Sequence, residues 1–202
     1  EPLKSNLFWL AESEEINYHE VFDASFTWEW MHNTESFYKG NINLNSLYDV
    51  LAKYETTFPA TAYRMYFTSN HDENSWNGTE YEKYGDAAKV LAVFSCTWNG
   101  IPLIYSGQEL PNMKRLKFFD KDVIDWKGKP ELHEFYKVLL KLGAHHPATR
   151  SGTSDQPVII PTHADQYVFA FIRRHWKKEI LVLLNFSPNH SFIQLPDGYV
   201  QV

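Results

Sequence analysis

The 202-residue chain has a single cysteine, Cys96, which excludes an internal disulfide framework and a cysteine zinc site. No apolar stretch reaches the roughly 18–20 residues that a membrane span requires. The 19 basic residues are outnumbered by 25 acidic ones, so the basic excess typical of nucleic-acid-binding proteins is also lacking. There is no glycine-rich phosphate loop and no serine or cysteine nucleophile motif, and the histidines lack metal-ligand spacing. We therefore expect a globular protein with no nucleic-acid or membrane partner, no metal site and no cofactor.

Aromatic residues, by contrast, are abundant, because 7 Trp, 12 Tyr and 14 Phe make up 16% of the chain. Such a surplus serves either for stacking on sugar rings or for building a large aromatic core. Trp28, Trp30 and Trp76 lie in or near the loops that follow predicted strands, so they are candidate sugar platforms. Core filling is the alternative for each of them.

Short apolar runs alternate with amphipathic stretches over the first three quarters of the chain. The runs predict strands, and apolar residues at helical spacing predict helices. The predicted strands cover 7–11, 24–28, 64–68 and 101–105, and the predicted helices cover 44–54, 87–98 and 132–142. This strand–helix repetition predicts an α/β fold with a parallel sheet. Cys96, inside one helical stripe, is expected to be a small core residue.

The pattern changes after Pro147. Strand-like segments at 167–173, 180–185 and 191–195 are separated by short turns, which predicts an antiparallel sheet. Two domains are therefore expected, one over residues 1–147 and a smaller β domain over 148–202.

Polar residues directly follow the predicted strands, at the end of a parallel sheet where active sites are built. Glu12 follows the first strand and Asp72 follows the third. If both side chains reach one mouth, they suit glycoside hydrolysis, in which one carboxyl protonates the leaving oxygen and another stabilises positive charge on the sugar. A helix cap or a surface charge is the alternative for each carboxylate. His71 either donates to a sugar hydroxyl or satisfies a loop carbonyl, and 107–109 is either a site loop or a turn.

Several strings resemble, in the right order, the signature regions of the α-amylase family, glycoside hydrolase family 13. Leu10-Ala11-Glu12 resembles the third region, and the string FTSNHD at 67–72 resembles the fourth. The string GIPLIYSGQE at 100–109 resembles the segment of the eighth barrel strand. Four later strings are also typical of the family, namely FFDKD at 118–122, IDW at 124–126, FYK at 135–137 and HP at 146–147.

The resemblance implies a (β/α)₈ TIM barrel followed by an antiparallel β-sandwich-like domain. It implies a retaining enzyme that acts on α-linked glucans or malto-oligosaccharides. Glu12 would be the general acid/base, and Asp72 would support the oxocarbenium-like transition state. His71 would hydrogen-bond the sugar at the cleaved bond, and Asn70 and Trp28 are the other candidate substrate-binding residues.

One departure from the family pattern is large. The family's nucleophile is an aspartate that precedes the Glu12 segment, near an arginine, but residues 1–11 contain neither Asp nor Arg. The family's first region, its long loop domain and that domain's calcium ligands are also missing. We therefore expect the fifth to eighth barrel strands over 1–147, followed by an incomplete β domain over 148–202. Calcium would belong to the parent protein.

Three further expectations rest on this interpretation. The chain alone should be inactive, and its exposed half-barrel edges should pair either by self-association, through domain swapping or dimerisation, or with the missing half. The habit of the family favours an extracellular or periplasmic parent. Two alternatives stay open: a transglycosylase of the same family, and a non-catalytic amylase-like scaffold or carbohydrate-binding protein, against which the presence of Glu12 and Asp72 counts.

Overall fold

A parallel sheet of four strands forms the first part of the molecule, in a computed structural model that describes residues 7–151, 155–163, 166–191 and 193–194. The strands lie side by side in chain order. They are β1 (Leu10–Ala11), β2 (Ala24–Phe26), β3 (Tyr63–Tyr66) and β4 (Ile101–Pro102). The register places Leu10 beside Ala24, Ala24 beside Tyr63 and Met65 beside Ile101. The predicted parallel sheet is confirmed.

Helices cross over between these strands and after the last one. They are α1 (Trp28–Tyr38), α2 (Leu44–Thr57), α3 (His71–Trp76), α4 (Glu80–Tyr84), α5 (Ala87–Thr97) and α6 (His133–His145). Short 3₁₀ turns occupy Ile16–Glu20 and Pro147–Thr149. The Asn43 side chain caps α2 by accepting from the Ser46 amide, and Thr79 and Glu82 form a capping box at α4. The predicted helices correspond to α2, α5 and α6.

The strands are shorter than the apolar runs that predicted them. Trp28 begins α1 instead of ending a strand, and residues 103–105 lie beyond β4. Backbone hydrogen bonds do continue past the strands, since the Leu103 amide donates to the Tyr66 carbonyl at 2.9 Å. An apolar run indicates that a segment is buried, whereas the length of a strand depends on how far a neighbouring strand pairs with it.

The C-terminal part is an antiparallel sheet in the order β5-β6-β7, which confirms the predicted antiparallel sheet, although β5 is not among the predicted strands. The strands are β5 (Val158–Ile160), β6 (Val168–His175) and β7 (Lys178–Asn185). Trp176 and Lys177 form the turn between β6 and β7, and Trp176 has a φ of 56°. The expected strand at 191–195 lies partly outside the described residues. A second sheet facing this one, as in a sandwich, does not occur in the described part of the chain.

Aromatic side chains fill the largest core, between the two sheets and α2 and α5. Phe94 of α5 stacks on Trp30 at 4.2 Å between ring centroids and on Trp98 at 5.2 Å. Phe169 and Phe171 of β6 pack against the same rings. Trp30 is fully buried here, so the interpretation of Trp30 as a sugar platform is wrong.

Cys96 is buried in α5, as expected of a core residue, and burial raises the pKa of its thiol to about 12. Within the described ranges, no helix combines the length and apolarity needed to cross a bilayer.

Candidate active site

Three of the predicted site residues meet at the carboxyl ends of β1 and β3. The Glu12 Oε1 lies 3.7 Å from the His71 Nε2, which lies 3.6 Å from the Asp72 Oδ1. Their side chains are 50%, 52% and 36% exposed, so all three are open to a ligand. Parallel strands explain this convergence, because β1 and β3 flank β2 and end at the same edge of the sheet.

Asn70 holds the start of α3, the helix on which His71 and Asp72 lie. Its side-chain oxygen accepts from the Glu73 amide at 2.8 Å. Asn70 is buried, and its Nδ2 has no hydrogen-bond partner among the described residues. The structure therefore gives Asn70 a capping contact, while its contact with a substrate stays a prediction.

A buried ion pair also holds α3 in place. The Glu73 Oε2 lies 2.8 Å from the Lys83 Nζ, and both side chains are almost completely buried. The Asn77 Nδ2 donates to the other Glu73 oxygen at 2.9 Å. The pair joins α3 to α4, so it fixes the position of the helix that carries Asp72. Sequence reasoning missed it, because a charged residue within a polar string gives no sign of burial.

The loop after β4 closes over His71. Asn74 of α3 accepts from the Leu116 amide at 2.8 Å and donates to the Lys114 carbonyl at 3.4 Å. Asp122 accepts from the Lys114 ammonium and from the Lys117 amide. The Lys114 hydrogen bond and the bonds from backbone amides lower the pKa of Asp122 to about 2. The loop is thereby bound both to α3 and to itself.

Two aromatic residues extend the site from His71 toward solvent. The Phe118 ring stacks on the His71 imidazole at 6.1 Å between centroids, and it contacts Trp76 at 5.2 Å. Trp76 is 57% exposed, so the prediction that it is a platform stays open. Trp28 is half-buried against Phe26 and Phe67, with only part of its ring available to a ligand.

A buried polar network connects the end of β3 with the loop after β4. Thr68 donates to the Glu80 Oε2 at 2.5 Å, and the Gln108 amide donates to both Thr68 and Glu80. Burial raises the pKa of Glu80 to about 7, although the hydrogen bonds from Thr68 and Gln108 oppose that shift. The sequence left open whether the segment that includes Gln108 is a site loop or a plain turn. The structure shows that Gln108 makes a buried connection to the end of β3, the strand that leads to His71.

The trio of Glu12, His71 and Asp72 offers one nitrogen and two carboxylate oxygens within 4.8 Å. Calcium takes six to eight oxygen ligands, so this mixed trio does not suit calcium, whose ligands the resemblance implies in the family's long loop domain. Imidazole with carboxylates suits a transition-metal ion, and it equally suits proton transfer to a bound molecule.

Family models match most of the chain. The catalytic-domain model of α-amylases matches residues 8–151, which include all of the site described above. The chain belongs to the α-amylase family. The model of the C-terminal all-β domain of α-amylases matches residues 159–200.

Individual members of the α-amylase family agree with this assignment. "Alpha-amylase 2" of Dictyoglomus thermophilum is 30% identical over 148 residues, which is 67% of this chain and 25% of the relative. The α-amylase of Lactobacillus plantarum superposes with a TM-score of 0.79 at 18% identity, over 92% of this chain and 46% of that one. A maltogenic α-amylase of Thermotoga neapolitana gives 0.76 at 20% identity, over 90% of this chain and 42% of that one. The chain thus spans a quarter of the curated relative and less than half of each solved structure.

Proposed function

We propose that this chain is the C-terminal part of a retaining glycoside hydrolase that acts on α-linked glucans. It would supply barrel strands five to eight over 1–147 and part of the β domain over 148–202. The convergence of Glu12, His71 and Asp72 is the observation that carries the proposal, because it places two carboxylates and an imidazole within 4.8 Å in the open. The names of the relatives, α-amylase and maltogenic α-amylase, support the substrate class.

The three side chains would divide the chemistry between them. Glu12 protonates the glycosidic oxygen as the bond breaks, and it later removes a proton from the incoming water. Asp72 stabilises the positive charge that develops on the sugar ring. His71 donates to a hydroxyl of the same sugar, and Phe118 stacks on the imidazole.

The nucleophile would come from outside this chain. The side-chain atoms of Glu12, His71 and Asp72 lie within 4.8 Å of one another, and no other carboxylate of the described residues belongs to this group. The resemblance assigns the nucleophile to an earlier region. A retaining glycosidase without it cannot form the glycosyl-enzyme. The chain alone should therefore release no reducing sugar from maltoheptaose.

The experiment compares Glu12→Gln with wild type in the full-length protein that contains this chain. We expect kcat on maltoheptaose to fall by about 10²–10⁴-fold, the usual contribution of a general acid/base. The loss should be much smaller on α-maltosyl fluoride in the bond-breaking step, because fluoride leaves without needing full protonation. Glu20→Gln, at an exposed glutamate of the 3₁₀ turn, is the matched control and should leave kcat unchanged.

Three outcomes would contradict the proposal. If Glu12→Gln slows the bond-breaking step equally on both substrates, Glu12 does not protonate the leaving group. If the full-length protein binds glucans but hydrolyses none, the non-catalytic carbohydrate-binding alternative is correct. If the protein transfers a disaccharide to a sugar acceptor faster than to water, it is the transglycosylase.

A further inference from the structure

We propose that a second cleft, separate from the Glu12 site, binds a stretch of neutral oligosaccharide. The cleft has a volume of about 830 Å³, within the roughly 300–1,000 Å³ of small-molecule sites, and it shares no residue with the active site. One wall comes from the end of α1 and its connection to α2. The other wall comes from the segments that flank β6 and β7. That the sugar is an α-linked glucan rests on the proposed function.

Aromatic rings line both walls of the cleft. Phe37 and Tyr38 come from α1, and Tyr167 and Phe186 come from the segments beside the β-sheet. Tyr38 is 44% exposed and Tyr167 is 52% exposed, so a flat apolar surface with a polar tip is available on each side. The C–H faces of a hexose ring pack on such surfaces by dispersion, while the phenol group can hydrogen-bond a hydroxyl.

The remaining lining is polar but uncharged. Asn45 and Gln166 contribute amide groups, each with two N–H donors and a carbonyl acceptor. Asn43 contributes its N–H donors, because its oxygen caps α2, and the Ser187 hydroxyl, which bonds Asn189, also lines the cleft. None of the described lining residues is charged, although charged residues make up 22% of the chain. An ionic ligand would lose hydration here without finding an opposite charge. A neutral polyhydroxylated ligand matches this combination of aromatic faces and amides.

The cleft is also held in shape before any ligand binds. The Phe37 ring packs edge-on against Phe186 at 5.3 Å between centroids, which connects the two walls at the base. The Phe186 amide donates to the Tyr167 carbonyl at 2.9 Å, and the Ser187 amide donates to the Asn185 side chain at 2.9 Å. Preformed walls reduce the entropy that binding must overcome.

A second site of this kind would act through local concentration. A glucan held in the cleft keeps its other segments near the enzyme, so their binding at the Glu12 site becomes effectively intramolecular. The cleft would thus favour polymers over short oligosaccharides, because a polymer has segments to spare for both places.

The test measures binding by the chain itself, which needs no catalysis. Native gel electrophoresis is run with and without soluble starch, and maltoheptaose affinity is measured by calorimetry. We expect starch to retard the wild-type chain. Tyr167→Ala and Tyr38→Ala should each weaken the affinity about three- to tenfold, the loss expected for one aromatic contact.

Three variants make the result specific. Tyr167→Phe keeps the ring and should retain most of the retardation. Trp176→Asn removes an even more exposed aromatic ring at the β6–β7 turn, where asparagine tolerates the positive φ, and should change nothing. His71→Ala alters the active-site mouth and should leave the retardation by the cleft in place. Circular dichroism melts of all variants confirm that each is folded.

Several results would overturn the proposal. One is the absence of retardation for the wild-type chain, and another is equal retardation of the wild type, Tyr38→Ala and Tyr167→Ala. Loss of retardation in His71→Ala but not in Tyr167→Ala would place all glucan binding at the mouth, leaving the proposed function intact. Conversely, a functional cleft in a full-length protein that hydrolyses nothing would remove the proposed function but not this site.

Discussion

Breaking the buried ion pair between Glu73 and Lys83 should destabilise the protein strongly. At 2.8 Å the gross attraction is about 6 kcal/mol for an effective dielectric constant near 20. Desolvation of both ions offsets most of that attraction, but removing one partner leaves the other charge buried and unpaired. We therefore expect Glu73→Gln, which keeps the side-chain volume and the acceptor for Asn77, to lower the free energy of unfolding by about 3–5 kcal/mol.

Urea denaturation of the chain, followed by circular dichroism, measures this change. The matched comparison is a double-mutant cycle with Lys83→Met, because the double variant leaves no unpaired charge. Its cost should be well below the sum of the two single costs. Strict additivity, or a cost of Glu73→Gln under about 1 kcal/mol, would refute the reasoning, because either result means that the pair is solvated.

Three further predictions concern other parts of the molecule. Because the folded pKa of Glu80, about 7, lies above its unfolded value of 4.5, its contribution to stability is complete below pH 4.5 and is lost as the pH rises through 7. That contribution is roughly 3 kcal/mol, and Glu80→Gln should flatten the stability profile over this interval in urea titrations; an unchanged profile would contradict the assigned cause. The apolar side chains of Phe8 and Trp9 at the β1 edge are largely exposed. Light scattering should therefore show concentration-dependent self-association that Phe8→Lys reduces. A monomer at all concentrations would contradict this prediction. Asp122→Asn should loosen the loop that carries Phe118 and shift the His71 ring protons in NMR spectra toward random-coil positions, whereas unmoved protons would show that the loop holds without this carboxylate.

The local pattern of the chain predicted the regular elements well where one face is plainly apolar. Leu44, Leu47, Val50 and Leu51 recur at helical spacing, and they form the buried face of α2. Helix α1 gave a weaker signal, because its buried residues include Thr34 next to Trp30 and Met31. Short helices such as α3 and α4 carry too few turns for a periodic pattern to emerge.

The sequence predicted which residues form the candidate site, but it did not predict the contacts that hold them in place. Glu12, His71 and Asp72 stand directly after strands, and a parallel sheet brings such positions to one edge. The contacts of Glu73 with Lys83 and of Gln108 with Glu80 had no local sign. They depend on which polar side chains the packing of α3, α4 and the loop after β4 removes from water.

The abundant aromatic residues show most clearly what cannot be predicted from neighbouring residues. The helical stripes, the strand-end polar residues and the family membership can be inferred from the amino-acid order, because they depend on neighbouring residues and short motifs. The burial of Trp30, the exposure of Trp76 and Tyr167, and the placement of Tyr38 and Tyr167 around one cleft follow only from the folded chain. Burial and proximity are set by contacts between residues far apart in the chain, and composition cannot distinguish an aromatic ring that fills a core from one that faces solvent.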